Sequence, residues 1–207
     1  PSLGVAPLVV QSIYEAIVDP PAEMQYILRV APDLADRVVI VSGFSKSYAM
    51  TGWRVGYAVG PKAIVDAMAL VQSHVTNNAS SMSQYAALAA LEEQSDFRTL
   101  IVSQLQRHRD RAHAVLAAVP GVGCSLGEGA FYLLPDVSAL LNGRVGDRAI
   151  GTSSELALYL LEEHEVAVVP GSAFGLEGCI RISYATSDSR LTEGLRRART
   201  GLEQIER

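Results

Sequence analysis

Ser45-Lys46-Ser47-Tyr48-Ala49-Met50-Thr51-Gly52-Trp53-Arg54-Val55-Gly56-Tyr57 sets one lysine at the exit of an apolar run, with no other charge between Val38 and Arg54. A lysine in such surroundings is poorly solvated as an ammonium, and its free amine is a nucleophile toward an aldehyde. Arg54 follows with a forked cation suited to a phosphate dianion, and Ser45, Ser42 and Thr51 offer hydroxyl donors. Gly43, Gly52 and Gly56 let the backbone turn sharply or approach a ligand.

Around this stretch, Leu8 to Val10, Val38 to Val41 and Trp53 to Val59 read as buried strands of a sheet covered on both faces. Glu23 to Val30 has room for a short helix after Pro20-Pro21. A helix is expected from Pro61, with Ile64, Met68, Val71 and Val75 on one buried face. Small polar residues from Thr76 to Ser81 end it. The segment from Gln84 to Val119 lacks proline and glycine and predicts one long helix, or two joined near Ser95-Asp96, bridging two lobes.

Beyond Pro120-Gly121 shorter elements alternate. Ala130 to Leu134 is apolar, and Thr152-x-x-Glu155 is a capping box opening a helix to about His164. Val166 to Val169 and Cys179 to Tyr184 read as strands. A final helix starts near Ser187 to Ser189 and carries Leu191, Leu195, Ala198 and Leu202 on one face, so the tail docks on a core.

Composition narrows the function. The 207 residues are 49% hydrophobic, enough for a real core, and 22 acidic against 17 basic residues give a net charge of −5 with no basic stripe for nucleic acid. Two cysteines, Cys124 and Cys179, are too few for a disulfide framework and read as buried thiols. No run of about 18 apolar residues and no secretory leader pattern is present, so no membrane partner and a cytoplasmic location are expected. The chain opens without methionine almost directly into an apolar run, which reads as part of a longer polypeptide. His74, His108, His113 and His164 have no metal-ligand spacing, and neither a Gly-x-Ser-x-Gly elbow nor a Walker-type loop occurs.

The pattern Ser-Lys-x-x-x-x-x-Gly-x-Arg-x-Gly at 45–56 resembles the pyridoxal 5'-phosphate attachment signature of class I/II aminotransferases of fold type I. The resemblance extends through Tyr14, Gln72-Ser73-His74-Val75-Thr76, Gly129-Ala130-Phe131-Tyr132, Val169-Pro170-Gly171 and Arg181-Ile182-Ser183-Tyr184, and is closest to the bacterial aspartate-type branch. It implies an α/β fold: the C-terminal part of a large mixed-sheet cofactor domain over 1–95, then a small α+β domain with a bridging helix over 96–207. The implied partners are a second copy in a homodimer and the missing N-terminal half of the enzyme.

The implied activity is amino transfer between an α-amino acid and a 2-oxo acid by a ping-pong route. Lys46 would form the Schiff base and shuttle the proton, Arg54 and Ser45 would hold the cofactor phosphate, and Tyr14 its phenolic oxygen. Arg181 would bind the substrate α-carboxylate as a bidentate pair. Asn78 would reach the neighbouring subunit's cofactor or cap a helix, and Phe131 and Tyr132 would support the cleft or pack in a core. Gln11 stands where the family has an aspartate against the ring nitrogen, so the ring would be a weaker electron sink. A lyase, decarboxylase or oxidase of the same fold, and a cofactor-free assembly module, are the competing expectations.

Overall fold

The computed structural model describes residues 31–92 and 97–206. The strand expected at Leu8 to Val10, the helix at Glu23 to Val30, Gln11, Tyr14 and the Ser95-Asp96 junction lie outside them. The chain divides into two compact units, Pro1–Arg98 and Thr99–Arg207.

In the first unit, β1 (Ile40–Gly43) and β2 (Gly56–Val59) form an antiparallel ladder from Ile40↔Val59 to Gly43↔Gly56. Strand pairing begins later than the apolar run at Trp53, because Thr51–Trp53 closes a 3-10 turn and Arg54 follows in the left-handed conformation, with φ 52°. That conformation cannot continue a strand. Nor is the ladder covered on both faces within this unit, since Val41 is 73% exposed. Helices α1 (Lys62–Val75) and α2 (Ser81–Glu92) follow.

Pro61 is the N-cap of α1, one place before the expected first turn. The apolar face of α1 exists as read but is not buried in the unit: Ile64 is 41% exposed and Val75 74%. Helix α2 instead packs Ala87 against Phe44, Met50 and Val55, forming the small core under the lysine loop.

The stretch from 84 to 119 forms two helices, α2 and α3 (Phe97–Ala117). In the second unit Ala112 and Leu116 of α3 enter a core shared with α4 (Ser153–His164) and α5 (Asp188–Glu203). A three-stranded antiparallel sheet, ordered β3 (Tyr132–Leu133), β7 (Ile180–Ser183), β6 (Val169–Pro170), lines this core. The hairpin of β4 (Gly143–Val145) and β5 (Arg148–Ile150), unanticipated from sequence, turns at Gly146 with φ +56°.

The capping box forms as expected: Glu155 N–H donates to the Thr152 hydroxyl at 3.1 Å, and the Glu155 carboxylate accepts from Thr152 N–H at 3.0 Å. At the other end of α4, Val166 N–H donates to Leu160 C=O at 3.0 Å, closing the helix. Glu165, with φ 55°, is the C-terminal cap, and β6 begins at Val169. Helix α5 buries Leu191, Leu195, Ala198 and Leu202 as its periodicity requires. Beyond it, Arg144 and Glu206 exchange backbone hydrogen bonds of 2.9 Å, pinning the tail to β4.

Candidate active site

The lysine loop is built around Phe44. Its ring is 1% exposed, and its carbonyl accepts hydrogen bonds from Tyr48 N–H at 3.2 Å and Met50 N–H at 3.3 Å, so 44–50 coils about one buried side chain. Ala49 takes a φ of 54° to complete the coil. Because Phe44, Met50 and Val55 turn inward, Ser45 is left half-buried and Lys46 exposed. Lys46 is thus exposed rather than sunk in the apolar core that Phe44, Met50 and Val55 form among the described residues.

Arg54 is brought to the same end of the ladder. Ser45 and Lys46 leave β1 just after Gly43, Arg54 enters β2 just before Gly56, and these two glycines are paired. The strands meet too closely there for a side chain, since a Cβ on Gly56 would lie 2.8 Å from the Ser42 carbonyl oxygen. Two hydrogen bonds fix the approach to Arg54. The Ser83 hydroxyl of α2 donates to Trp53 C=O at 2.6 Å, and Arg54 Nη1 donates to Thr51 C=O at 3.1 Å. The guanidinium is exposed and has no carboxylate partner among the described residues, so its charge is available to an anion. An amine, a hydroxyl and a guanidinium at one strand end match the chemistry of a phosphorylated aldehyde. Asn78 is half-buried on the loop from α1 to α2, after Asn77 with φ 62°.

In the second unit, Arg181 lies on β7, its Cα opposite Val169. Its guanidinium carbon is 5.0 Å from the ring centre of Tyr132 and 4.6 Å from that of Phe174. Phe174 was not singled out in the sequence; the Pro170-Gly171 turn signal ahead of it is the only hint that the chain folds back there.

Three of the four histidines make contacts within the scaffold. His108 is buried, with Nδ1 3.0 Å from Tyr184 C=O and Nε2 3.3 Å from an Asp188 carboxylate oxygen; Nε2 has no hydrogen-bond partner among the described residues. His113 bonds Cys124 C=O at 2.9 Å, and His164 bonds the Tyr159 hydroxyl at 2.9 Å. Both cysteines are free thiols, half-buried rather than fully buried, and burial pushes both up in pKa, which disfavours the nucleophilic thiolate. Among the described residues no group of three or more His, Cys, Asp or Glu could hold a metal ion. No described helix is long and apolar enough to cross a membrane.

One unit thus carries a lysine and an arginine at a strand end, and the other an arginine beside two aromatic rings. The chain belongs to the aminotransferase class I and II family, whose sequence model matches residues 5–197. It is 43% identical over 200 residues to an aspartate aminotransferase of Rhizobium meliloti, covering 96% of this chain and 48% of that protein. A probable aspartate/prephenate aminotransferase of Rickettsia felis is 44% identical over 182 residues, 87% of this chain and 44% of that protein. The crystal structure of the Rhizobium meliloti aspartate aminotransferase superposes with a TM-score of 0.82 at 43% identity, over 86% of this chain and 45% of the other. The chain therefore spans about half the length of the curated relatives it matches.

Proposed function

We propose that this chain provides the lysine loop and the carboxylate-binding arginine of a pyridoxal-phosphate-dependent aminotransferase that moves an amino group between an α-amino acid and a 2-oxo acid. The observation that carries the reading is the emergence of Ser45, Lys46 and Arg54 at one end of the β1–β2 ladder. The activity belongs to a polypeptide that also supplies the other half of the relatives' length, acting in the cytoplasm as a homodimer. The names of the relatives favour acidic amino acids such as aspartate as substrates.

Pyridoxal phosphate supplies an aldehyde and an electron-withdrawing ring. The Lys46 amine is the attachment point and the base that removes and returns the proton at the substrate α-carbon. Arg54 and the Ser45 hydroxyl hold the phosphate, a charge-assisted arrangement that also orients Lys46 through the short loop between them. Desolvation of Lys46 is contributed by whatever closes over this loop in the complete enzyme. Arg181 binds the α-carboxylate in the plane of its fork. Tyr14, Gln11 and Asn78 complete the cofactor contacts, with Gln11 supplying a neutral amide where a carboxylate would hold a positive ring nitrogen more strongly.

Borohydride reduction of the native-length protein, followed by peptide mass mapping, tests the assignment. A pyridoxyl group on Lys46, absent in Lys46→Ala, is the expected result. An unlabelled, folded, cofactor-treated protein overturns it.

A further inference from the structure

Arg181 is held by a contact that leaves its hydrogen-bonding capacity unspent. Within its unit no described carboxylate pairs with the guanidinium; its neighbours are the rings of Tyr132 and Phe174, at 5.0 and 4.6 Å. An aromatic face attracts a cation through its quadrupole and takes up none of its N–H donors. A carboxylate neighbour would do the reverse, neutralising the charge and occupying the fork.

Core packing does not account for either ring, since Phe174 is 48% exposed and Tyr132 39%. Yet both are fixed in place. Tyr132 sits opposite Ser183 in the β3–β7 ladder, on the same face as Arg181 and the opposite face from the buried pair Leu133 and Ile182. Phe174 ends the Gly171–Phe174 turn, which is anchored by Gly171 N–H to Cys179 C=O at 2.8 Å and Leu176 N–H to Gly171 C=O at 2.9 Å. The fully buried Ser153, at the start of α4, accepts from Ser172 N–H at 3.2 Å.

We propose that Phe174 and Tyr132 are positioning residues: together they hold the Arg181 guanidinium in the orientation in which its N–H edge receives a planar carboxylate. This rests on the aminotransferase reading for the identity of that carboxylate. The rings set carboxylate affinity and leave the chemistry at Lys46 untouched.

In the native-length holoenzyme, Phe174→Leu and Tyr132→Leu should each raise KM for the amino acid and for the oxo acid together, by about two- to fivefold for a lost cation–π contact at exposed rings. Their kcat should stay within about twofold, and borohydride should still label Lys46. Phe174→Tyr and Tyr132→Phe, which keep a ring, should restore KM. Unchanged KM in both leucine variants, beside a raised KM in Arg181→Gln, overturns the positioning role alone. A loss of kcat matching any rise in KM, or no rescue by the aromatic variants, marks the rings as merely structural and also overturns it. If Arg181→Gln itself leaves KM unchanged, the carboxylate assignment falls and the positioning role with it; an unlabelled Lys46 overturns the aminotransferase reading separately.

Discussion

Gly171 shows how far one hydrogen atom in place of a side chain governs the second unit. A Cβ there would lie 2.0 Å from the Leu176 carbonyl oxygen and 2.4 Å from that of Cys179. Both are backbone atoms and cannot step aside without moving the turn that carries Phe174. Gly171→Ala should therefore cost about 3 kcal/mol or more in denaturant unfolding. At Gly194, within α5, a Cβ would meet nothing within 4 Å, which makes this glycine the natural control. Gly194→Ala should gain about 0.5–1 kcal/mol, because alanine loses less backbone freedom on entering a helix. Sequence alone marks both as glycine and cannot rank them, since the obstruction at Gly171 comes from residues five and eight places along a chain that has already turned back.

Among the elements, those defined by local chemistry were legible. The α4 capping box needs only Thr152 and Glu155 three residues apart, and α5 needs only the spacing of its apolar side chains. Thr152→Ala should destabilise the protein by about 1 kcal/mol in thermal or urea unfolding, by leaving an N-terminal N–H of α4 without its acceptor. Glu155→Gln, which keeps an acceptor oxygen, should cost less. The lysine loop was legible as a motif but not as an environment: the apolar run and the signature spacing located Lys46 and Arg54, whereas Phe44 turns inward with two hydrogen bonds to its carbonyl, leaving Lys46 exposed. The Arg181 surroundings were only half legible. Tyr132 was visible as an aromatic on a strand, but its proximity to Arg181 needs the β3–β7 register, and Phe174 arrives by a turn with no strong composition signal.

At the scale of the molecule, hydrophobic periodicity states which face of a helix requires burial and is silent on what provides it. On α1 the face formed by Ile64, Met68, Val71 and Val75 was read as a buried face, and the described residues do not cover it. That face is an apolar surface of a kind that soluble monomers seldom leave open. The 207-residue chain on its own should therefore self-associate, eluting from gel filtration above its monomer mass and binding a hydrophobic dye. Val71→Lys combined with Val75→Lys should shift it toward the monomer by placing charge on that face. A cooperatively folded, dye-free monomer of the unaltered chain would contradict this.

The β3–β7 ladder carries a last implication, for how this chain tolerates insertions and deletions. Tyr132 and Arg181 share a face only because Tyr132 pairs with Ser183 and Leu133 with Ile182. Side chains alternate along a strand, so one residue gained or lost inside either strand would exchange ring for aliphatic side chain and turn the aromatic partner toward the core. The connection between the two strands is constrained in its turn, since it carries β6, held in register with β7 by Val169↔Arg181, and the core residues of α4. Drift in chain length is thus expected to collect in exposed turns outside these elements, with the short strands kept strictly in phase.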